Sequence, residues 1–194
     1  MSSPILVLRA PVSLLLVFAA GLVLAACSTT TSIPQKGDKR KANLSSHWKG
    51  EGKEGQRRIV VKLSQQRATF YVNGSEVGSS PIASGRQQFP TPTGNFKVIQ
   101  KVKDYRSNQY GDFVDASGKI VKKDVDSFLD KAPEGTSFSG AKMPYFMRIS
   151  NGIGFHAGHV PGYAASHGCL RLPPSMARTF YENTPMGTPV TVVY

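Results

Sequence analysis

A mainly β domain of two packed sheets, with one short helix near its C-terminal end, is the fold class the sequence predicts. Three observations carry this. Short runs rich in Val, Ile, Thr, Phe and Tyr recur from residue 59 onward, separated by Gly, Pro, Asn and Ser. Asn73-Gly74 sits between two such runs and is the strongest short hairpin signal, because both residues tolerate positive φ. Only 174–183 shows helical spacing, with Pro174 near its first turn and Met176, Phe180 and Tyr181 on one face.

In order, 59–63 and 68–72 read as strands joined by Ser64-Gln65-Gln66-Arg67, and a third strand over 76–83 follows the Asn73-Gly74 turn. Pro90-Thr91-Pro92-Thr93-Gly94 is a rigid turn, after which Phe96, Val98 and Val102 alternate along one further strand. Residues 104–142 are the least regular stretch, with Asp115-Ala116-Ser117-Gly118 a turn between short strands; so long a connection suits a binding loop or lid. Residues 145–149 and 153–155 form a hairpin across Ser150-Asn151-Gly152, which sets His156 opposite Ile153 and Phe155 at a strand end. A Val/Thr strand over 189–194 closes the domain.

The N-terminal segment is of different material. Arg9 precedes an apolar run from 12 to 24 that ends in Leu24-Ala25-Ala26-Cys27. The run is shorter than the roughly 20 apolar residues of a membrane span and has the form of a secretory signal peptide over 1–26. Its ending resembles the bacterial lipobox, which implies acylation of Cys27, export, and anchoring by lipid; an ordinary signal with an incidental cysteine is the alternative. Ser28 in place of Asp points to the periplasmic face of the outer membrane if the host has one. Residues 27–56 are polar and basic, with Lys36, Lys39, Arg40 and Lys41, and read as a flexible tether in which Trp48 is the exception. The folded domain is then 57–194, about 140 residues, enough for one core.

The formal net charge is +12. For an exported chain the partners this charge suits are anionic lipid and cell-wall polyanions rather than nucleic acid, beside the null of a solvated basic surface. The sequence holds two cysteines. If Cys27 is acylated, Cys169 has no partner and is either buried or kept for its reactivity.

Reactive residues gather between 154 and 172, where three of the four histidines, His156, His159 and His167, accompany Cys169. A thiol attacks as the thiolate and needs a base nearby, which imidazole supplies. Gly154, Gly158, Gly162 and Gly168 let backbone amides approach a reacting oxygen. Zinc is disfavoured: His167 and Cys169 lie two apart on a tight turn with no second cysteine knuckle.

Ser166-His167-Gly168-Cys169-Leu170-Arg171, preceded by Gly154-Phe155-His156, resembles the signature of the L,D-transpeptidases, the YkuD domain. The Thr91-Pro92-Thr93-Gly94 turn and the closing Gly187-Thr188-Pro189-Val190 are similar as well. The resemblance implies packed mixed β-sheets, a cysteine in a loop entering a helix, and no metal or organic cofactor. It implies two-step acyl transfer: Cys169 attacks the third residue of a peptidoglycan tetrapeptide stem, expels D-alanine, and passes the thioester to an amine. Carried over by position, His156 is the base, with His159 a second candidate, and the carbonyl of Ala157 orients its ring. The amides of His167, Gly168 and Cys169 form the oxyanion hole, while Arg171 and Ser166 meet substrate, with a structural salt bridge within the loop the alternative for Arg171. Carbapenem sensitivity is implied too. Hydrolysis of the same thioester and an idle wall-binding lipoprotein are the competing functions.

Overall fold

The computed structural model describes residues 43–194. Cys27, the signal peptide and the first part of the tether lie outside the described residues.

The strands form two sheets. In the first, β1 (His47–Trp48), β4 (Ser75–Pro81), β3 (Arg67–Val72), β2 (Arg57–Lys62), β11 (Pro189–Val193) and β5 (Gly94–Lys97) lie side by side in that order. β11 runs parallel to β2 and antiparallel to β5, so the sheet is mixed. The second sheet orders β10 (Leu170–Leu172), β9 (Ile153–Ala157), β8 (Ser137–Ser150), β6 (Gln100–Val114) and β7 (Ile120–Asp126). Here too a single parallel pair, β10 on β9, joins antiparallel neighbours. The mainly β class, the paired sheets and a single α-helix among the described residues, α1 (Pro174–Asn183), agree with the sequence.

Alternation decides which face each strand buries. Ala68, Phe70 and Val72 of β3 are buried while the residues between them are not. Ile59, Val61, Val190 and Val192 continue that face. The second sheet answers with Met147, Ile149, Phe155, Leu170 and Leu172, and α1 adds Met176, Ala177 and Phe180 to the same core. Phe180 packs edge-on to Phe70, joining helix and first sheet (centroids 5.3 Å). At its C-terminal end α1 is capped by Lys101, whose Nζ donates to the carbonyls of Tyr181 and Thr184 at 2.6 Å each.

Three expectations need correction. The tether does not extend to 56: β1 pairs with β4, and Trp48 packs against Phe70 at 5.2 Å and Phe180 at 6.1 Å. A Cβ added to Gly78 would lie 2.3 Å from the Trp48 ring, so the glycine makes room for it. One indole thus overrides the polar composition around it. Phe96, Val98 and Val102 do not share a strand; the chain leaves β5 of the first sheet and enters β6 of the second, with Val98 buried at the crossing. Nor is 104–142 irregular. It holds most of β6, all of β7 and the start of β8, and the expected turn sits between β6 and β7 with Gly118 at φ 83°. The charged residues that hide this pattern face solvent on strands reaching past the core.

Trp48→Ala removes a half-buried indole that touches both the first sheet and α1. It should lower unfolding free energy by about 2–3 kcal/mol, below the range for a fully buried aromatic. Urea unfolding reads this, and a change under about 0.5 kcal/mol, the surface range, would return residues 43–56 to the tether.

Candidate functional site

The second sheet presents one face to the core and the other to a cavity of about 400 Å³. In the parallel pair, Leu170 faces Phe155, Arg171 faces His156 and Leu172 faces Ala157. Leu170, Leu172, Phe155 and Ala157 go to the core, so Arg171 and His156 must go the other way. Cys169, immediately before β10, joins them in lining the cavity. The cysteine loop therefore enters a three-residue strand, and only then, through Pro173, the helix.

His156 is 7% exposed. Its Nδ1 lies 2.9 Å from the Ala157 carbonyl, which can only accept, so the neutral ring carries its proton on Nδ1 and keeps Nε2 as the basic nitrogen. Burial lowers the imidazole pKa from 6.5 to about 4, the Ala157 carbonyl opposes this, and the Arg171 charge adds to it. Burial dominates. Cys169 is part-exposed, with Sγ 3.5 Å from the Gly152 carbonyl. Burial pushes its thiol up, opposed by a hydrogen bond from the Gly154 amide and by the charges of Arg148 and Arg171. Both shifts favour the uncharged partners, so at neutral pH the pair is thiol and imidazole rather than thiolate and imidazolium. His159 is exposed at the cavity rim.

The loop before Cys169 is braced from within. Ser166, 1% exposed, donates through Oγ to the Cys169 carbonyl at 2.5 Å and accepts from the Gly168 amide at 3.0 Å. This corrects two expectations. Ser166 borders the cavity, yet its hydroxyl is spent holding the loop rather than presented to a ligand. The Gly168 amide is likewise occupied, which leaves the amides of His167 and Cys169 without an acceptor among the described residues. Gly168 takes φ 110°, a value open to glycine.

A second brace escaped sequence reasoning. Residues 83–91 grip the loop from the side away from β9. Ala83 and Arg171 exchange two backbone bonds of 3.0 Å, and Ala165 and Ser166 donate to the Ser84 carbonyl at 2.9 and 3.0 Å. Thr91 Oγ1 donates to the Gly168 carbonyl at 2.6 Å while accepting from the Gly85 amide at 2.9 Å. A Cβ on Gly85 would meet the Phe89 carbonyl at 2.0 Å, so no side chain fits there. The Thr91-Pro92 turn was legible as a turn; its hydroxyl reaching 77 residues along the chain was not.

His167 contributes its side chain as well as its amide. The ring stacks on Tyr110 (4.5 Å) and leans on Phe89 (4.8 Å), and the Arg86 guanidinium nitrogens lie 3.2 and 2.7 Å from its Nδ1 and Nε2. Burial, then the Arg86 charge, lowers its pKa. Tyr110 comes from a bulge over 107–110, where the β6–β8 register jumps, and this bulge forms part of the cavity wall. The stretch read as a loop is thus a strand-built wall. Arg171 is half-buried, lays its stem over Gly158, and has no carboxylate among the described residues within ion-pair distance.

A family model of the L,D-transpeptidase catalytic domain, YkuD, matches residues 56–192. The chain belongs to this family. Its members are cysteine-dependent L,D-transpeptidases. Solved structures agree in fold: an L,D-transpeptidase from Stackebrandtia nassauensis is 21% identical (TM-score 0.52, 74% of this chain and 58% of that one). Another from Mycobacterium smegmatis is also 21% identical (TM-score 0.54, 72% and 59%). A mutant Enterococcus faecium L,D-transpeptidase is 26% identical (TM-score 0.51, 71% and 50%). The chain therefore spans between 50% and 59% of the length of these three proteins. No curated protein sequence matches.

The buried imidazole ties stability of this domain to pH. Below pH 6.5 the unfolded chain protonates His156 and the native state does not until about pH 4. Stability is full above 6.5, falls as pH drops toward 4, and levels off there, a loss of about 3 kcal/mol from this group. His167, lowered for the same reason, adds in the same sense. Urea midpoints between pH 7 and 4 should decline for the wild type and decline less for His156→Gln; equal declines would place His156 in contact with solvent.

Proposed function

We propose that the domain is a peptidoglycan L,D-transpeptidase working through a thioester on Cys169. The observation that carries this is the orientation of His156. Its Nδ1 is committed to the Ala157 carbonyl, so Nε2 is the acceptor on the cavity side of a strand whose parallel partner leads directly from Cys169. That is a base held by a main-chain acceptor beside a nucleophile, a triad whose third member is backbone.

The steps follow from the parts. A tetrapeptide stem enters the cavity with its third residue over the sulfur. The Cys169 proton passes to His156 Nε2 as sulfur bonds to the carbonyl carbon, and the amides of His167 and Cys169 receive the developing oxyanion. The carbon–nitrogen bond to D-alanine then breaks, with the proton returned from the imidazolium to the leaving amine. An acceptor amine attacks the thioester, His156 takes its proton, and the thiol is released. The pair starts neutral, so charge is created only when a substrate carbonyl is in place to accept hydrogen bonds from the amides of His167 and Cys169. Arg171, a half-buried guanidinium in the same cavity with no carboxylate partner among the described residues, supplies a bidentate fork for a stem carboxylate. Hydrolysis of the thioester needs only water in place of the amine, and acceptor access separates the two outcomes.

Incubated with tetrapeptide stems, the protein should release D-alanine and join two stems, and Cys169 should gain one carbapenem mass. Cys169→Ala should do neither. Mass spectrometry of the protein and chromatography of the stems read both; an adduct with free tripeptide but no dimer makes the enzyme a hydrolase, and no adduct with no release sinks the acyl-transfer reading.

His156→Ala should slow thiol acylation about 10²–10⁴-fold, the usual loss of a general base. His159→Ala, at the exposed rim, should leave the rate within a few-fold. Equal losses, or a larger one at His159, would move the base.

A further inference from the structure

Strand register lays out the cavity face of the second sheet as two rows. Arg148 of β8 pairs with Gly154 of β9, and Phe155 of β9 pairs with Leu170 of β10. One step back from Leu170, Cys169 falls beside Gly154. Residues two apart share a face, so Cys169, Gly154 and Arg148 form one row and Arg171, His156 and Phe146 the next. Neighbouring strands lie about 4.8 Å apart. The nucleophile and Arg148 thus stand about 10 Å apart at their Cα atoms, across two such spacings, with only a glycine between them. No side chain fits there: a Cβ on Gly154 would lie 2.4 Å from the Met147 carbonyl and 2.7 Å from the Phe146 ring. The Phe146 ring fills the place beside this glycine, and Cys169 and Arg148 line the same cavity on either side of it.

Arg148 is built as a fixed cation. Its Nε donates to Gln100 Oε1 at 2.6 Å and its Nη2 to the Tyr105 hydroxyl at 3.1 Å. The guanidinium carbon stands 5.0 Å from the Phe146 ring, which Tyr105 covers at 4.3 Å. All three neighbours are neutral, and no carboxylate of the described residues is within ion-pair distance. Nη1 makes no hydrogen bond among the described residues, and Arg148 lines the cavity. A part-buried arginine held by neutral partners, with donors to spare, is a site for an anion.

Resting on the transpeptidase reading above, we propose that Arg148 is a specificity-determining residue that binds the free α-carboxylate of the residue being expelled. With the attacked carbonyl at the sulfur, that carboxylate lies one residue spacing further, about 3.8 Å, in the cavity between Cys169 and Arg148. The Cys169–Arg148 row then measures the substrate: a stem whose fourth residue ends the chain is accepted. One whose end is blocked or extended leaves the guanidinium desolvated and unpaired. Arg171, one row away beside His156, is free to hold a different carboxylate of the same stem.

Two stems test this, one ending in free D-alanine and one, otherwise identical, ending in D-alaninamide, with formation of the cross-linked product followed for each. The wild-type protein should show kcat/KM about ten- to a hundredfold higher for the acid, the worth of a charge-assisted pair. Arg148→Gln should abolish the preference, the acid losing far more than the amide and chiefly through KM, and Arg148→Lys should restore part of it. An active wild type with no preference for the acid overturns the proposal without any variant being needed. Arg148→Gln that slows both stems alike also overturns it, since that is the signature of a cation acting on the thiol. A wild type that processes neither stem overturns the transpeptidase reading itself, and this proposal with it.

Discussion

The parallel pairing of β10 with β9 is the constraint on which the site depends. Three residues of strand settle it, because Leu170 and Leu172 are fully buried and cannot exchange faces with Arg171 without placing a guanidinium in the core. A slip by one residue would flip every side chain of β10. Burial of two leucines, each worth about 1.5–3 kcal/mol, therefore fixes where Arg171 points. Through the chain, it also fixes Cys169, the proposed nucleophile. The second brace, from Ala83 to Thr91, keeps so short a strand from fraying, since β10 is held on both edges rather than one. The core thus orients the chemistry, and the polar loop network refines it.

The same burial sets the protonation of the pair. Removing His156 from water outweighs the pull of its hydrogen bond to Ala157, and removing Cys169 from water outweighs the amide of Gly154 and the nearby arginines. A protonated thiol is a poor nucleophile and a poor target for oxidation. The resting site is consequently quiet, and on the proposed acyl transfer reactivity appears when a substrate carbonyl offers somewhere for the charge to go. Arg148 and Arg171 flank that position, which suits an anionic substrate better than it suits a free thiolate with no ligand.

Much of this was legible in the sequence, for identifiable reasons. Asn73-Gly74, at φ 48° and 79°, and the strands around it announce themselves because their alternation is undisturbed by function. His156 and Cys169 stand out because reactive residue types crowd one segment. What was hidden is of two kinds. Thr91, Arg86 and Arg148 act through partners far away in the chain, and local composition carries no trace of the partner. Ser166 and the Gly168 amide lie in the motif itself, but only the fold shows that they bond each other and so brace the loop. The strands of 104–142 were obscured by their own solvent-facing charges and by the bulge over 107–110, which breaks the period just where the chain turns toward the cavity.

The account stands on a His156 ring that is neutral, with its proton on Nδ1, when the enzyme is at rest. Nitrogen-15 NMR of the imidazole across pH measures this directly. The ring should show one protonated nitrogen, Nδ1, and one bare nitrogen, Nε2, from pH 8 down to about pH 5, and take its second proton only near the lowered value of about 4. Cys169→Ala should leave that profile in place, because burial and Ala157 rather than the sulfur set it. An imidazolium at pH 7, or a neutral ring with its proton on Nε2, would contradict the account.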